Sequence, residues 1–271
     1  MIRKLRKVHR GWRARLRGPG ARPMYWHVGT PNFGDDINPD LFEALTGVRI
    51  RLTRDRSRAH FLGMGSILGR ATDSATVLGA GLLDPAEPRP APARVVALRG
   101  ALSARHLGLD ATAVPLGDPM VLVDRVMRPD GGEDIGLIPH VRSLNALRRE
   151  MGRELPPGLR LIDVSRPPWQ VLREIGRCRL VLSQSLHGLI AADAFAIPSL
   201  WLAPSAQMQG GRFKFDDYFS TLDAPREPFP LTADLLRAPP LAEARVGRYT
   251  GNKDALRAAL AEALCAPPSK T

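Results

Sequence analysis

Apolar residues run through this chain in short continuous blocks rather than in strict alternation with polar ones, and the blocks form two series. In the first, residues 24–28, 48–52, 60–64, 76–78 and 94–98 read as strands bounded by glycine, proline or charged residues. Helical spacing covers 37–45, closed by Gly47, and 101–107, and a short apolar piece at 113–116 reads as one more strand. Asp35 or Asp36 stands where the N-cap of the first helix belongs. In the second series, strands are predicted at 135–138, 159–164, 180–182 and 199–202. Helices are predicted at 143–151, 169–177, 186–195, 213–222, 232–236 and 254–264. Leu256, Leu260 and Leu264 mark the buried face of the last one.

Strands that alternate with helices and lack a polar face argue for parallel sheets covered on both sides. The polar, glycine-rich stretch 128–133 divides the series. The expected architecture is α/β, with two Rossmann-like domains (24–130 and 131–271) facing each other across a cleft. No repeat of 20–50 residues points to a solenoid.

Charge changes this picture at one place. The 271-residue chain has a formal net charge of +12, and residues 1–23 hold nine basic side chains and no acid. The remainder is close to balance. Residues 1–23 are therefore expected to be a disordered basic tail, suited to anionic lipid headgroups. No basic groove studded with aromatics accompanies it, so nucleic acid is not an expected partner. The chain has no apolar run long enough to span a bilayer. Its tail lacks the apolar core of a secretory leader. Cys178 and Cys265 are far apart and match no metal spacing. A cytoplasmic protein, peripheral at the inner face of the membrane, is the expected setting.

Candidate chemistry gathers at predicted strand ends, where open α/β sheets bind ligands. In the second half these are His140 with Arg142, the turn Ser183-Gln184-Ser185, and Leu186-His187-Gly188 at a helix start. Histidine, arginine, hydroxyls and helix N–H groups together suit a phosphate or carboxylate. In the first half, Asn32, Asp35 and Asp36 offer an amide and carboxylates to hydroxyls, and Arg99 ends a strand. Each has a plainer reading: His140 at the surface, Arg99 and Arg142 as solvated charges, Asp35 and Asp36 as cap and surface acid. Gly117-Asp118-Pro119 reads equally well as a simple turn. Phosphate-loop and dinucleotide fingerprints are absent, as is zinc or EF-hand spacing, so no metal or resident cofactor is expected.

Six short motifs, in order, resemble the polysaccharide pyruvyl transferase family: Asn32-Phe33-Gly34-Asp35-Asp36, Gly65-Ser66-Ile67-Leu68, Gly79-Ala80-Gly81, Arg99-Gly100-Ala101-Leu102-Ser103, Gly117-Asp118-Pro119 and Ser185-Leu186-His187-Gly188. Phe213-Lys214-Phe215-Asp216-Asp217-Tyr218 is similar to a family stretch that follows the histidine. The resemblance implies a fold like the metal-free GT-B glycosyltransferases. It also implies transfer of pyruvate from phosphoenolpyruvate to two hydroxyls of a sugar or lipid-linked oligosaccharide, as a cyclic ketal, in exopolysaccharide or cell-surface glycan biosynthesis. The family's catalytic histidine falls on His187 and its donor-binding arginine on Arg99. Some members carry an arginine where this chain has Ser185, so His140 or Arg142 is expected to supply that charge beside Ser183, Ser185 and Leu186. Asn32, Asp35 and Asp36 would then face the acceptor. Two other readings stand beside this one. A GT-B glycosyltransferase would use a nucleotide sugar, although no acid suited to a ribose follows residues 201–204. A non-catalytic glycan-binding protein would need no turnover at all.

Overall fold

The computed structural model describes residues 20–140, 155–204 and 208–266. It is a mixed α/β structure with two parallel sheets. The first contains β1 (Arg22–Tyr25), β2 (Ile50–Leu52), β3 (His60–Leu62), β4 (Ala75–Leu78) and β5 (Arg94–Ala97), in the order β2-β1-β3-β4-β5. The second contains β6 (Asp134–Ile138), β7 (Leu159–Leu161), β8 (Cys178–Ser183) and β9 (Ser199–Trp201), in the order β7-β6-β8-β9. Every paired strand in both sheets is parallel.

Eight described α-helices accompany them: α1 (Phe33–Asp36), α2 (Asn38–Thr46), α3 (Ala101–His106), α4 (Pro168–Ile175), α5 (Leu186–Ala194), α6 (Phe213–Phe219), α7 (Ala233–Arg237) and α8 (Lys253–Cys265).

The continuous apolar strands of the sequence are strands buried on both faces. In the first sheet, Phe61 and Leu78 join one cluster while Leu62 and Val77, their chain neighbours, join another. In the second, Ile138 and Val181 join that first cluster, while Leu137, Leu180 and Leu182 form a third. One face of each sheet thus drains into a shared core, and the opposite faces have cores of their own. The elements between the sheets explain the sharing. The backbone N–H of Phe33 donates to the Val164 carbonyl at 2.8 Å, and α1 packs on α4. The last helix, α8, crosses back to lie on α2 and β5. There Arg22, at the start of β1, donates to the Leu264 and Cys265 carbonyls at 3.0 and 2.9 Å and so caps the helix C-terminus.

Local differences from the expected elements have local causes. The first strand begins at Arg22, two residues into the stretch assigned to the tail, because Arg22 and Pro23 pair with Ile50 and Arg51. Residues 1–19 of that stretch lie outside the described residues, as does the helix expected at 143–151. The helix expected at 37–45 is α2, whose N-cap position is held by Ile37 without a side-chain bond instead of by Asp35 or Asp36; the short helix α1, capped by Asn32, runs just before it and contains both acids. As expected, α2 ends at Gly47, whose φ of 72° is the left-handed conformation that suits glycine at a C-terminus. Residues 113–116 contribute only a bridge between Leu116 and Leu98, pinned by a hydrogen bond from the Tyr249 hydroxyl to the Leu116 carbonyl. After them comes an unforeseen 3-10 helix, Pro119–Arg125, with Asp118 as its cap and proline in its first turn.

Candidate active site

Sheet order locates the site. In the first sheet the strand sequence reverses direction at β1, with β2 on one side and β3 on the other; in the second it reverses at β6, between β7 and β8. Such switch points leave a crevice beyond the strand C-termini. Both crevices open into one cavity of about 300 Å³. His27, Thr30 and Asn32 reach it from the end of β1, Ser66 and Ile67 from the end of β3, His140 from the end of β6, and Gln184 to His187 from the end of β8.

The wall after β8 is shaped by serine. The Ser183 hydroxyl donates to the Ser185 carbonyl at 2.9 Å and accepts from the Ser185 N–H at 3.0 Å, turning the chain sharply out of the strand. The Ser185 side chain caps α5 by accepting from the Gly188 N–H at 3.4 Å. Ser185 and Leu186 line the cavity, whereas Ser183 is fully buried beneath it, so its hydroxyl shapes the turn instead of facing a donor. Gln184 bridges the two strand ends, donating to the Ala203 carbonyl at 2.9 Å and accepting from the His140 N–H at 3.3 Å.

His187 lies in the first turn of α5 and is 7% exposed. The Phe33 ring stands edge-on to its imidazole, 6.4 Å away between centroids. Its Nε2 is turned toward Asp118 Oδ2, 3.6 Å away. Gly34 lies under the other ring nitrogen. A Cβ at that position would come within 2.0 Å of His187 Nδ1, so the glycine in the Asn-Phe-Gly-Asp-Asp motif makes room for the histidine.

Opposite His187 stands Asp35. The Asn32 amide donates to its Oδ2 at 3.1 Å, and Asn32 also caps α1 through the Gly34 N–H at 3.4 Å. Burial pushes the Asp35 carboxyl above the ordinary carboxylate range, although His187, His27, the Asn32 amide and Lys214 all pull it down. Asp36 has a different task. Its Oδ2 accepts from the Asn32 N–H at 3.1 Å, which secures the helix start, and it is not among the residues that line the cavity.

Arg99 is also displaced from its expected role. Its side chain is 0% exposed, as is that of Asp217, and the two are paired at 2.8 Å. The remaining guanidinium nitrogens donate to the Ser66 hydroxyl at 2.7 Å and the Leu82 carbonyl at 2.6 Å. Asp217 in turn accepts from the Ser103 hydroxyl and N–H at 2.6 and 2.8 Å. With each guanidinium nitrogen engaged, Arg99 holds α6 against α3 and is linked to the cavity lining through Ser66. Arg142 lies outside the described residues. Among the described residues, Lys214 on α6, Arg70 and His27 are further basic side chains that line the cavity, and none of them stood out in the sequence as a site residue. Lys214 sits inside the motif at 213–218, and its place at the cavity depends on α6 folding back onto α3, a contact that no local sequence pattern announces. Among the described residues, no group of three or more His, Cys, Asp or Glu side chains could hold a metal ion, and no helix is long and apolar enough to cross a membrane.

Parallel sheets whose switch points open into one shared cavity define a mixed α/β protein of Rossmann-like class. Residues 115–205 match the family model of polysaccharide pyruvyl transferase, and the chain belongs to that family. It is 32% identical over 226 residues to the succinoglycan biosynthesis protein ExoV of Rhizobium meliloti, an alignment that takes in 76% of this chain and 66% of that one. The chain thus spans just under two thirds of that relative's length. An uncharacterized protein of Acanthamoeba polyphaga mimivirus is 25% identical over 226 residues, with 79% of each chain covered. A crystal structure of a functionally uncharacterized Klebsiella pneumoniae protein aligns with 86% of this chain and 100% of its own, at 12% identity and a TM-score of 0.43.

Proposed function

We propose that this protein transfers pyruvate from phosphoenolpyruvate to two hydroxyls of a sugar, forming a cyclic ketal during assembly of an exopolysaccharide or related surface glycan. The observation that carries this reading is the convergence of both switch points on one cavity holding His187, Asp35 and basic side chains. The donor has a phosphate and a carboxylate, which suits Lys214, Arg70, His140 and the N–H groups at the start of α5. A GT-B-like arrangement is part of the proposal, with the acceptor entering from the side of Asn32 and Asp35.

In this mechanism His187 gives a proton to the methylene carbon of the donor, and the neighbouring carbon becomes an oxocarbenium-like centre. A sugar hydroxyl oxygen bonds to that centre and yields its proton to the Asp35 carboxylate. The bond to the phosphate oxygen then breaks, and phosphate leaves with the electron pair and the proton held on Asp35. The second hydroxyl closes the ketal and returns a proton to His187. One donor and two hydroxyls become one ketal and one phosphate. The proposal needs neither metal nor resident cofactor. It places the protein in the cytoplasm at the inner face of the membrane, held there by the basic residues of 1–23.

The test supplies phosphoenolpyruvate and a lipid-linked oligosaccharide, then follows phosphate release and the mass of the acceptor. Acceptor-dependent phosphate release with a pyruvyl ketal on the sugar is the expected result. His187→Ala should reduce the rate by about 10²-fold or more. Transfer from a nucleotide sugar instead would make the protein a glycosyltransferase, and glycan binding with neither donor consumed would make it a binding protein. Either result overturns the proposal.

A further inference from the structure

Two buried polar atoms in this protein face each other, and neither has a hydrogen-bond partner. His187 Nε2 and Asp118 Oδ2 are both buried and unpaired, and they lie 3.6 Å apart. Buried polar atoms are rarely left so, because each forfeits its bonds to water without replacement. Asp118 is 0% exposed. Its other oxygen, Oδ1, is occupied, accepting from the Met120 N–H at 3.0 Å as the cap of the 3-10 helix Pro119–Arg125. That cap fixes the carboxylate in space and leaves Oδ2 directed at the imidazole. The 3-10 helix is packed closely on α5, the helix that carries His187. A separation of 3.6 Å is beyond a good hydrogen bond but closes with a movement of a few tenths of an ångström.

We propose that Asp118 is a positioning residue for His187. It accepts a hydrogen bond from Nε2–H and so holds the neutral ring in the tautomer whose Nδ1 is bare. Nδ1 is the nitrogen that lies against Gly34, next in the chain to Asp35, and both His187 and Asp35 line the cavity. Under the mechanism proposed above, on which this role rests, Nδ1 carries the proton to and from the substrates while Nε2 keeps its own. The arrangement follows the general logic of a buried carboxylate that selects a histidine tautomer and favours the imidazolium. It also gives the Gly-Asp-Pro turn a chemical purpose: proline starts the helix whose cap aims the acid.

The tautomer can be read directly on the full-length protein by long-range proton–nitrogen correlation of the histidine rings, with the His187 signals assigned by their loss in His187→Gln. The wild-type ring is expected with its proton on Nε2; a proton on Nδ1 in the neutral wild-type ring would overturn the proposal without any further variant. Asp118→Asn keeps the oxygen that caps the helix and presents an amide N–H to Nε2. His187 should then switch to the Nδ1–H tautomer. The kcat for ketal formation should fall by about 10²- to 10⁴-fold. KM for phosphoenolpyruvate should stay within about threefold, because Asp118 does not line the cavity. An unchanged tautomer in a folded Asp118→Asn protein would overturn the role. Should the wild-type protein prove inactive with phosphoenolpyruvate, the function proposed above fails, and the nuclear resonance result still decides the pairing of Asp118 with His187.

Discussion

Gly34 and His187 are 153 residues apart in the chain, yet the size of one is dictated by the other. Because a Cβ on Gly34 would lie 2.0 Å from Nδ1, Gly34→Ala must push the imidazole aside or displace α1. A shift of about 1 Å in a reacting group can cost about 10²-fold in rate. We therefore expect Gly34→Ala to lower kcat by that order. Because Gly34 is buried and the new Cβ would also crowd the His187 Cγ and Cβ, at 2.3 and 2.7 Å, the melting temperature should fall as well; phosphate release and thermal unfolding read the two effects. Sequence reading reached His187, His140, Asn32 and Asp35 because their residue types announce chemistry at a strand end. It could not reach the fate of Arg99 and Ser183. Both are residue types that bind anions, and only the fold shows that their polar groups are consumed by neighbours. Asp118 hid for the opposite reason, since its proline-flanked turn looked merely structural.

At the scale of elements, the Arg99–Asp217 pair is the most exacting contact. Both groups are fully buried, and removal of one strands the other's charge in the interior. Asp217→Ala is expected to cost about 3–5 kcal/mol, read as a lower midpoint in urea unfolding with little change in slope. By contrast, the exposed pair of Arg212 with Asp216 at 2.8 Å on the same helix should contribute little when broken. Strands and helices with clear apolar spacing were legible in the sequence to within a few residues, from β1 through α8. The 3-10 helix Pro119–Arg125 was not, because five consecutive buried residues, Pro119 to Val123, carry no periodicity to distinguish a helix from a strand.

For the whole molecule, the shared core governs how the chain unfolds. Phe33, Ile37 and Leu41 from the first half lie in one apolar cluster with Ile162, Val164 and Leu172 from the second. The stretch at 128–133 that separates the two series is itself pinned. Gly131 N–H donates to the Gly176 carbonyl at 2.9 Å, and Asp130 pairs with Arg177 at 3.0 Å. A fragment covering residues 20–130 would expose that cluster and lose α8 from its flank. It should show no cooperative thermal transition, whereas the intact chain should unfold in a single one, both followed by circular dichroism. The alternation of strand and helix made the α/β class legible from the sequence, but long-range returns such as α8 are set by surfaces that only the folded sheets create.

The lock between Arg99 and Asp217 also has a mechanical consequence. Lys214 follows β9 in the sequence, yet its helix is anchored to the first sheet by an ion pair with no exposure to water. Any hinge movement that widened the cavity would carry α6 along with strands from the other half of the chain, or else would have to break that pair. The same helix is tied as firmly to the other side: the Tyr218 hydroxyl donates to Asp193 Oδ2 on α5 at 3.1 Å, and Phe215 and Phe219 pack on Trp201 of β9. Bonded to both halves of the chain, α6 acts as a clasp along the cavity that Lys214 borders, and widening that cavity would have to break one set of buried contacts or the other.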